Sequence, residues 1–473
     1  MRGLLASSVG VTCAAALALP LTSPAVAARP VSPAAVRPAP GAEALGGTQS
    51  LPLAPLASRD RTLAPVAEQG LPRRDVRHFS LVGVIWDDPD AVLHGRVQVR
   101  TRAVGADTWS GWQDLETHND DAADPGTAER TSGRVHGATA PLWVGDSDGV
   151  EVRVRAEADR RTEDTARGSR TATTTAPLPT GLRLELVDPG ESAPAPVRQE
   201  SAAGAPRHAV APRSAPTADP AEDLDGTDAA AANDGLAGPD ATEIPALDRQ
   251  QTEQELFALR AGELTDRQRA KPFIGPRPRI VTRRGWGADE GLRERKFVYT
   301  KKVKAAFVHH TASGNGYRCT QVPSLIRGIY RYHVKSMGWR DIGYNFLVDK
   351  CGNIYEGRAG GVAKPVLGAH TLGFNSNSMG IAVLGSYGSK KPPAAATKAI
   401  ARLAAWKLGL HGANPKGKTY LKSGGGNLYP KGKKVRLNVI SGHRDGFATE
   451  CPGRQLYRKL GSTRTTAARL QGR

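Results

Sequence analysis

Aromatic side chains are scarce in this sequence. There are 25 among 473 residues, and 19 of those 25, with all ten tyrosines, fall after residue 272. A chain so unevenly supplied does not build one uniform core. Long apolar runs are missing beyond the N-terminus, which argues against an integral membrane protein spanning by helices and against stable membrane insertion there. Acidic residues are sparse from Phe273 to Arg473, where 8 stand against 37 Lys and Arg, a net +29. The rest of the chain carries −10, from 28 basic and 38 acidic residues. The C-terminal part does hold a full apolar and aromatic complement, so the chain is neither collagenous nor wholly disordered. At roughly 150 residues per domain, the length allows about three domains.

The N-terminus reads as an export signal. Arg2 supplies a short positive region, Leu4 to Leu21 is mostly Ala, Leu, Val and Ser, and Ala25-Val26-Ala27 is a small-x-small cleavage site. Residues 1–27 are therefore expected to be removed and the protein secreted. The competing reading, a retained membrane anchor, is opposed by the shortness of the run and its interruption at Pro20. Cys13 is a poor lipidation site. Cleavage leaves Cys319, Cys351 and Cys451, and an odd count in an oxidising compartment points to one disulfide plus one thiol with another duty.

Residues 28–73, rich in Pro and Ala, read as a disordered leader. Alternation then takes over. His78–Trp86, Gly95–Val104, Val150–Arg155 and Leu182–Leu186 have period two and are separated by turn clusters such as Asp87-Asp88-Pro89-Asp90. This predicts an all-β, sandwich-like domain over 74–188. Trp86, Trp109, Trp112 and Trp143 fall within it, as core or as sugar-stacking platforms. Residues 189–272 contain one aromatic, Phe257, and read as a disordered acidic linker, with a polar helix over Thr252–Arg269. The remainder, 273–473, mixes periods. Strands are expected at Val303–Ala312, Gly380–Gly385 and Val435–Ser441, a hairpin at Tyr344–Glu356, and helices around Val322–Ile329 and Thr397–Leu410. A mixed α/β domain follows, with a central sheet flanked by helices.

His309 ends one apolar strand and His443 follows another, with Cys451 eight residues further on. Two imidazoles and a thiolate are a zinc-ligand set, and three protein ligands leave the fourth tetrahedral position for water. Zinc-bound water ionises near neutral pH and attacks a carbonyl that the metal polarises. The spacing alone is a weak signal, because a His at a strand end is more often a satisfied polar residue. The odd cysteine strengthens it.

Val308-His309-His310-Thr311-Ala312, Gly338-Trp339-Arg340-Asp341-Ile342-Gly343-Tyr344-Asn345-Phe346, Ile354-Tyr355-Glu356-Gly357-Arg358, Gly368-Ala369-His370-Thr371 and Gly442-His443-Arg444-Asp445 occur in order, followed by Cys451-Pro452-Gly453. Together they resemble the peptidoglycan recognition protein family, zinc-dependent N-acetylmuramoyl-L-alanine amidases related to phage T7 lysozyme. The resemblance spans about Arg279 to Leu460 and says nothing of the β-rich region.

The resemblance implies Zn2+ held by His309, His443 and Cys451. It implies that His309 rather than His310 points at the metal, and strand alternation sends the two rings to opposite faces. It implies Tyr344 as the catalytic tyrosine, its hydroxyl bonding the attacking water or the developing oxyanion. Thr449 stands where phage members carry a lysine, and offers a hydroxyl without a charge. His370 is a candidate for the substrate groove, and Arg358 and Asn375 are weaker ones. With Cys451 so assigned, Cys319 and Cys351 remain to form the disulfide.

The expected activity is cleavage of the amide between N-acetylmuramic acid and L-alanine in peptidoglycan by a secreted, cell-wall-associated hydrolase. The rival within the same family is a non-catalytic peptidoglycan-binding protein. A second rival is a surface or structural protein whose β-rich half is the main actor. The basic C-terminal part is also expected to hold the protein on anionic cell-wall polymers. Nucleic acid is not an expected partner, since no groove-reading motif accompanies the charge.

Overall fold

Alternating runs become strands because one face of each is apolar. In this computed structural model, residues 46–56, 68–117, 121–165, 168–191 and 228–473 are described. The expected export signal 1–27, with Cys13, lies outside them. The N-terminal region is all β, as read from the sequence. Its main strands run in the order Gly47–Pro52, Arg183–Asp188, Glu68–Trp86, Leu142–Ala156, Gly95–Ala103, Gln113–Leu115. They enclose Phe79, Val82, Val84, Val97, Val99, Val150, Val152, Leu184 and Leu186.

The strands of the sandwich-like region form one connected sheet, in which Glu68–Trp86 is long, carries register shifts against Leu142–Ala156 and pairs with Arg183–Asp188 as well. Bulges of that kind bend a strand and let it serve both ends of a sheet. Two expectations are corrected here. The leader expected over 28–73 contains the strand Gly47–Pro52, which pairs with Arg183–Asp188 from the end of that row. An end strand tolerates the prolines that hid it. The linker expected over 189–272 is ordered from 228 onward. There Leu236, Ile244 and Leu256 are buried in the C-terminal core, and Asp248 caps the helix Arg249–Arg260 reciprocally with Gln251. This segment gains order by docking on a neighbour, which composition does not report. The tryptophans divide: Trp86 is buried, while Trp109 lies beneath Arg73 and Trp112 beneath Arg153.

The C-terminal region is a seven-stranded mixed sheet in the order Glu243–Ile244, Ile280–Val281, Ile354–Glu356, Phe346–Val348, Ser378–Val383, Ala305–His310, Ile440–Gly442. The last three are parallel neighbours. Helices Ala394–Leu410 and Leu460–Leu470 cover one face. Helix Val322–Arg331 has Pro323 in its first turn and buries Val322, Leu325, Ile326 and Ile329 at helical spacing. Each such side chain contributes about 1.5–3 kcal/mol on burial. Its apolar face meets the N-terminal region. Leu81, Ile85 and Val187 share a cluster with Leu325, Ile329 and Tyr332. Gly328 permits this approach, since a Cβ there would already stand 3.3 Å from Leu81.

Candidate metal centre and groove

The strand Ala305–His310 divides its side chains between two faces. Ala306 and Val308 enter the helix-covered core, while Ala305 and Phe307 pack with Phe374, Leu421 and Leu437. His309 therefore faces away from His310, whose Nδ1 accepts the Tyr387 N–H at 3.2 Å. The neighbouring parallel strand ends at Gly442, so His443 emerges beside His309, their ring centroids 4.5 Å apart. The loop from 444 to 451 is drawn closed by the Arg444 N–H, which donates to the Cys451 carbonyl at 3.1 Å. Asp445 braces its start, accepting from the Gly442 N–H and the Tyr457 hydroxyl. The outcome brings His309, His443 and Cys451 together, all buried, with one donor atom of each within 4.8 Å of the others.

This trio suits a metal. Burial depresses His309 and His443 to about 3, so both imidazoles are neutral and hold a lone pair for a cation. His443 Nδ1 and Nε2 have no hydrogen-bond partner among the described residues. Such atoms are costly to bury unless something else satisfies them. His309 Nε2 lies 3.3 Å from the Thr371 hydroxyl, which is 2.9 Å from His370 Nδ1. That contact fixes the His309 ring and leaves Nδ1 directed at the cluster, the outer-shell support that metal-binding imidazoles use. Thr449 accepts the Cys451 N–H at 3.2 Å. Cys319 and Cys351 form the disulfide, and Cys451 stands outside it.

Tyr344 is buried 5.6 Å from the His309 ring, and its hydroxyl donates to Asp121 Oδ2 at 2.6 Å. Burial, and then the Asp121 charge, push its pKa well above the usual phenol range. Asp121 comes from the N-terminal region, and burial pushes it up to about 6. Its Oδ1 lies 3.0 Å from His309 Nδ1 and 3.4 Å from His443 Nδ1.

Two of the three groove candidates, Asn375 and Arg358, bond to the same N-terminal segment, and His370 stands beside His309. Asn375 Nδ2 donates to the Ala122 carbonyl at 2.8 Å and to Asp124 Oδ1 at 2.7 Å. Arg358 makes two 2.8 Å bonds to Glu129. His370 is fully buried, and its backbone N–H donates to Asn375 Oδ1. The sequence reading missed Asp121, Asp124 and Glu129. The acidic run Asp120-Asp121-Ala122-Ala123-Asp124 was the visible trace of the first two. Nothing local in that run tells which site it meets.

Residues 299–454 match the family described as N-acetylmuramoyl-L-alanine amidase, and 34–178 match one described as Rv3811 N-terminal galactose-binding domain-like. Peptidoglycan-recognition protein SC2 of Drosophila simulans is 33% identical over 183 residues, 38% of this chain and 84% of that protein. A human N-acetylmuramoyl-L-alanine amidase is 31% identical over 209 residues, 43% of this chain and 31% of its own length. The solved structure of Drosophila PGRP-LB, wild type, is 25% identical, with a TM-score of 0.31, over 39% of this chain and 92% of that one. Among the described residues no helix is long and apolar enough to cross a membrane. A third of positions shared over most of a relative's length, on a chain that gathers His309, His443 and Cys451 beside Tyr344, has one reading: the chain belongs to the peptidoglycan-recognition protein family.

Proposed function

We propose that the chain is a secreted, zinc-dependent N-acetylmuramoyl-L-alanine amidase that releases stem peptides from peptidoglycan. The observation that carries this reading is the buried His309, His443 and Cys451 trio with the Tyr344 phenol beside it. A protein that only recognises peptidoglycan has no need of a thiolate in that company. His309, His443 and Cys451 would hold the zinc, which when bound supplies Lewis acidity toward the amide carbonyl and acidifies water.

The remaining work falls to the chain's own groups. Tyr344 stays protonated at neutral pH and donates a hydrogen bond to the oxygen that gains charge as the amide is attacked. Thr371 keeps the His309 ring in place. Thr449 holds the Cys451 backbone and has a hydroxyl to offer the same oxygen. Arg358 is a planar cation suited to a carboxylate of the stem peptide, and Asn375 and His370 line the adjoining wall. The exposed Lys431, Lys433 and Lys434 suit long-range attraction to an anionic wall.

The test is product analysis. Peptidoglycan is incubated with the zinc-loaded chain and with its Asp121→Ala/Glu129→Gln variant, with and without chelator, and the soluble products are weighed by mass spectrometry. Stem peptides with a free L-alanine amine, lost with chelator and regained with zinc, are expected. Retention on peptidoglycan without release by either protein would move the chain to the non-catalytic, recognition reading.

A further inference from the structure

We propose that Asp121 is a fourth metal ligand, delivered by the N-terminal region, and that residues 121–136 fill the groove as a built-in occupant. The described arrangement is then a closed form that excludes substrate. The inference rests on the metal-centre reading above and concerns a residue outside the family's ligand set.

The first ground is geometric. With zinc–nitrogen and zinc–oxygen bonds near 2.0–2.1 Å and zinc–sulfur near 2.3 Å, the edges of a tetrahedral site are about 3.3 Å between nitrogen or oxygen donors and about 3.6 Å from nitrogen to sulfur. Asp121 Oδ1 stands 3.0 Å and 3.4 Å from the two Nδ1 atoms, and Cys451 Sγ stands 3.8 Å from His309 Nδ1. Asp121 Oδ1 and His443 Nδ1 are buried, and neither has a hydrogen-bond partner among the described residues. Asp121 Oδ1 thus approaches both imidazole donors of the trio. A site with four protein ligands is closed, whereas hydrolysis needs an open position.

The second ground is what the other oxygen does. Asp121 Oδ2 accepts the Tyr344 hydroxyl at 2.6 Å. The carboxylate therefore bridges the metal centre and the phenol, the two groups between which a scissile carbonyl has to lie.

The third is that the segment continues along the groove and bonds to Gly373, Asn375, Arg340 and Arg358. Asp124 Oδ1 accepts from the Gly373 N–H and Asn375 Nδ2 at 2.8 and 2.7 Å. Glu129 holds Arg358 through both oxygens and accepts the Arg340 N–H at 3.2 Å. Arg134 pairs with Glu294, and the His136 N–H donates to the Met337 carbonyl at 3.1 Å. Gly338 is at φ +74°, and a Cβ on it would collide with the Arg134 carbonyl. Three carboxylates, spaced along the groove, occupy what an acidic peptide would.

The occupant is anchored by more than its own contacts. Tyr332 donates to the Thr139 carbonyl at 3.1 Å, Ser336 to Glu185 at 2.8 Å, and Arg327 to the Pro189 and Gly190 carbonyls at 3.1 and 3.0 Å. With the shared apolar cluster, these tie the segment to a firmly docked region. Substrate entry thus requires the two regions to part or the segment to be cut.

The experiment uses the whole chain loaded with Co2+, whose visible absorption reports its ligands, with Asp121→Ala, Asp121→Asn and Glu129→Gln variants. The wild-type spectrum should be indifferent to azide. Both Asp121 variants should show shifted bands that respond to azide, and should lose metal to a chelator at least about tenfold faster. Glu129→Gln should keep the wild-type bands. A purified muropeptide should bind the Asp121→Ala/Glu129→Gln chain at least about tenfold more tightly than wild type by calorimetry. Wild-type bands that answer azide and match those of Asp121→Ala would overturn the ligand, and equal muropeptide affinities would overturn the occupant. A chain that takes up no cobalt would overturn the metal reading itself, which separates that failure from this one.

Discussion

Glu129 and Arg358 form a two-bond ion pair, 2.8 Å at each contact, with both side chains almost wholly buried. The pair joins the N-terminal segment to the groove wall across 229 positions of sequence. Removing one partner of a buried pair strands the other charge, typically at about 3–5 kcal/mol. Arg358 also donates to the Ile342 carbonyl at 2.8 Å, so Glu129→Ala should fall near the low end. Urea unfolding of Glu129→Ala, Arg358→Ala and the double variant should give a coupling above about 1 kcal/mol. Additive losses would mean that the two groups are not paired in solution.

Metal content is the next check. The folded chain should hold one zinc, measured by elemental analysis after dialysis. Cys451→Ser replaces a thiolate by a neutral hydroxyl, a far poorer zinc ligand, and should fall well below one per chain while keeping the wild-type circular dichroism. Undiminished zinc in that variant would place the metal elsewhere.

Much of this centre was legible because its signals are local. A His at each of two strand ends, a leftover Cys and an ordered set of motifs name His309, His443, Cys451 and Tyr344. Strand alternation puts His309 and His310 on opposite faces, and the motif match says which of the two is the ligand candidate. What could not be read depends on partners far away in sequence. Asp121 has no periodic or motif context, and its role exists only because helix Val322–Arg331 and Tyr332 dock the N-terminal sheet. The same reason hid residues 228–272. Leu236, Ile244 and Leu256 are too few for a core of their own and become buried against one built by others. Pro52 disguised an end strand, where a missing N–H costs little.

The thiols give a third prediction. Cys319 and Cys351, 32 positions apart, are bonded, so Cys451 should be the cysteine alkylated in denaturant without reductant, together with Cys13 while the export signal remains attached. Peptide mapping reads the outcome. Closing a loop of that size stabilises by about 3–4 kcal/mol in the chain-entropy account. Cys319→Ala/Cys351→Ala should therefore melt several degrees lower, and alkylation of Cys319 in the wild type would contradict the bond.

Glu356 supplies a pH dependence away from the metal centre. Burial pushes its carboxyl from 4.5 up to about 7, against the hydrogen bonds from Asn233 Nδ2 and the Arg283 N–H. The folded chain then holds a proton that the unfolded chain has released. Its stabilising contribution is complete below about pH 4.5 and is lost as pH rises through about 7, about 3 kcal/mol in all. Denaturant unfolding at pH 5 and pH 8 should show a steeper loss for wild type than for Glu356→Gln. Equal slopes would show that Glu356 titrates normally.

Tyr344 separates hydrolysis from recognition. Its phenol is assigned to the oxygen that gains charge, so the interaction belongs mainly to the transition state. The comparison should be made in the Asp121→Ala/Glu129→Gln chain, where neither the bond from Tyr344 to Asp121 nor the Arg358 pair is present. There Tyr344→Phe keeps the ring, removes one oxygen, and should leave folding and zinc content unchanged. Loss of one such donor lowers kcat by about 10²–10³-fold, with KM moving little. Thr449→Ala should cost less, since its hydroxyl already accepts the Cys451 N–H and has no charge to offer. If Tyr344 were only a wall of the groove, the Phe variant would turn over at nearly the parent rate. A raised KM with unchanged kcat would therefore remove Tyr344 from the chemistry and favour a groove that recognises peptidoglycan without cutting it.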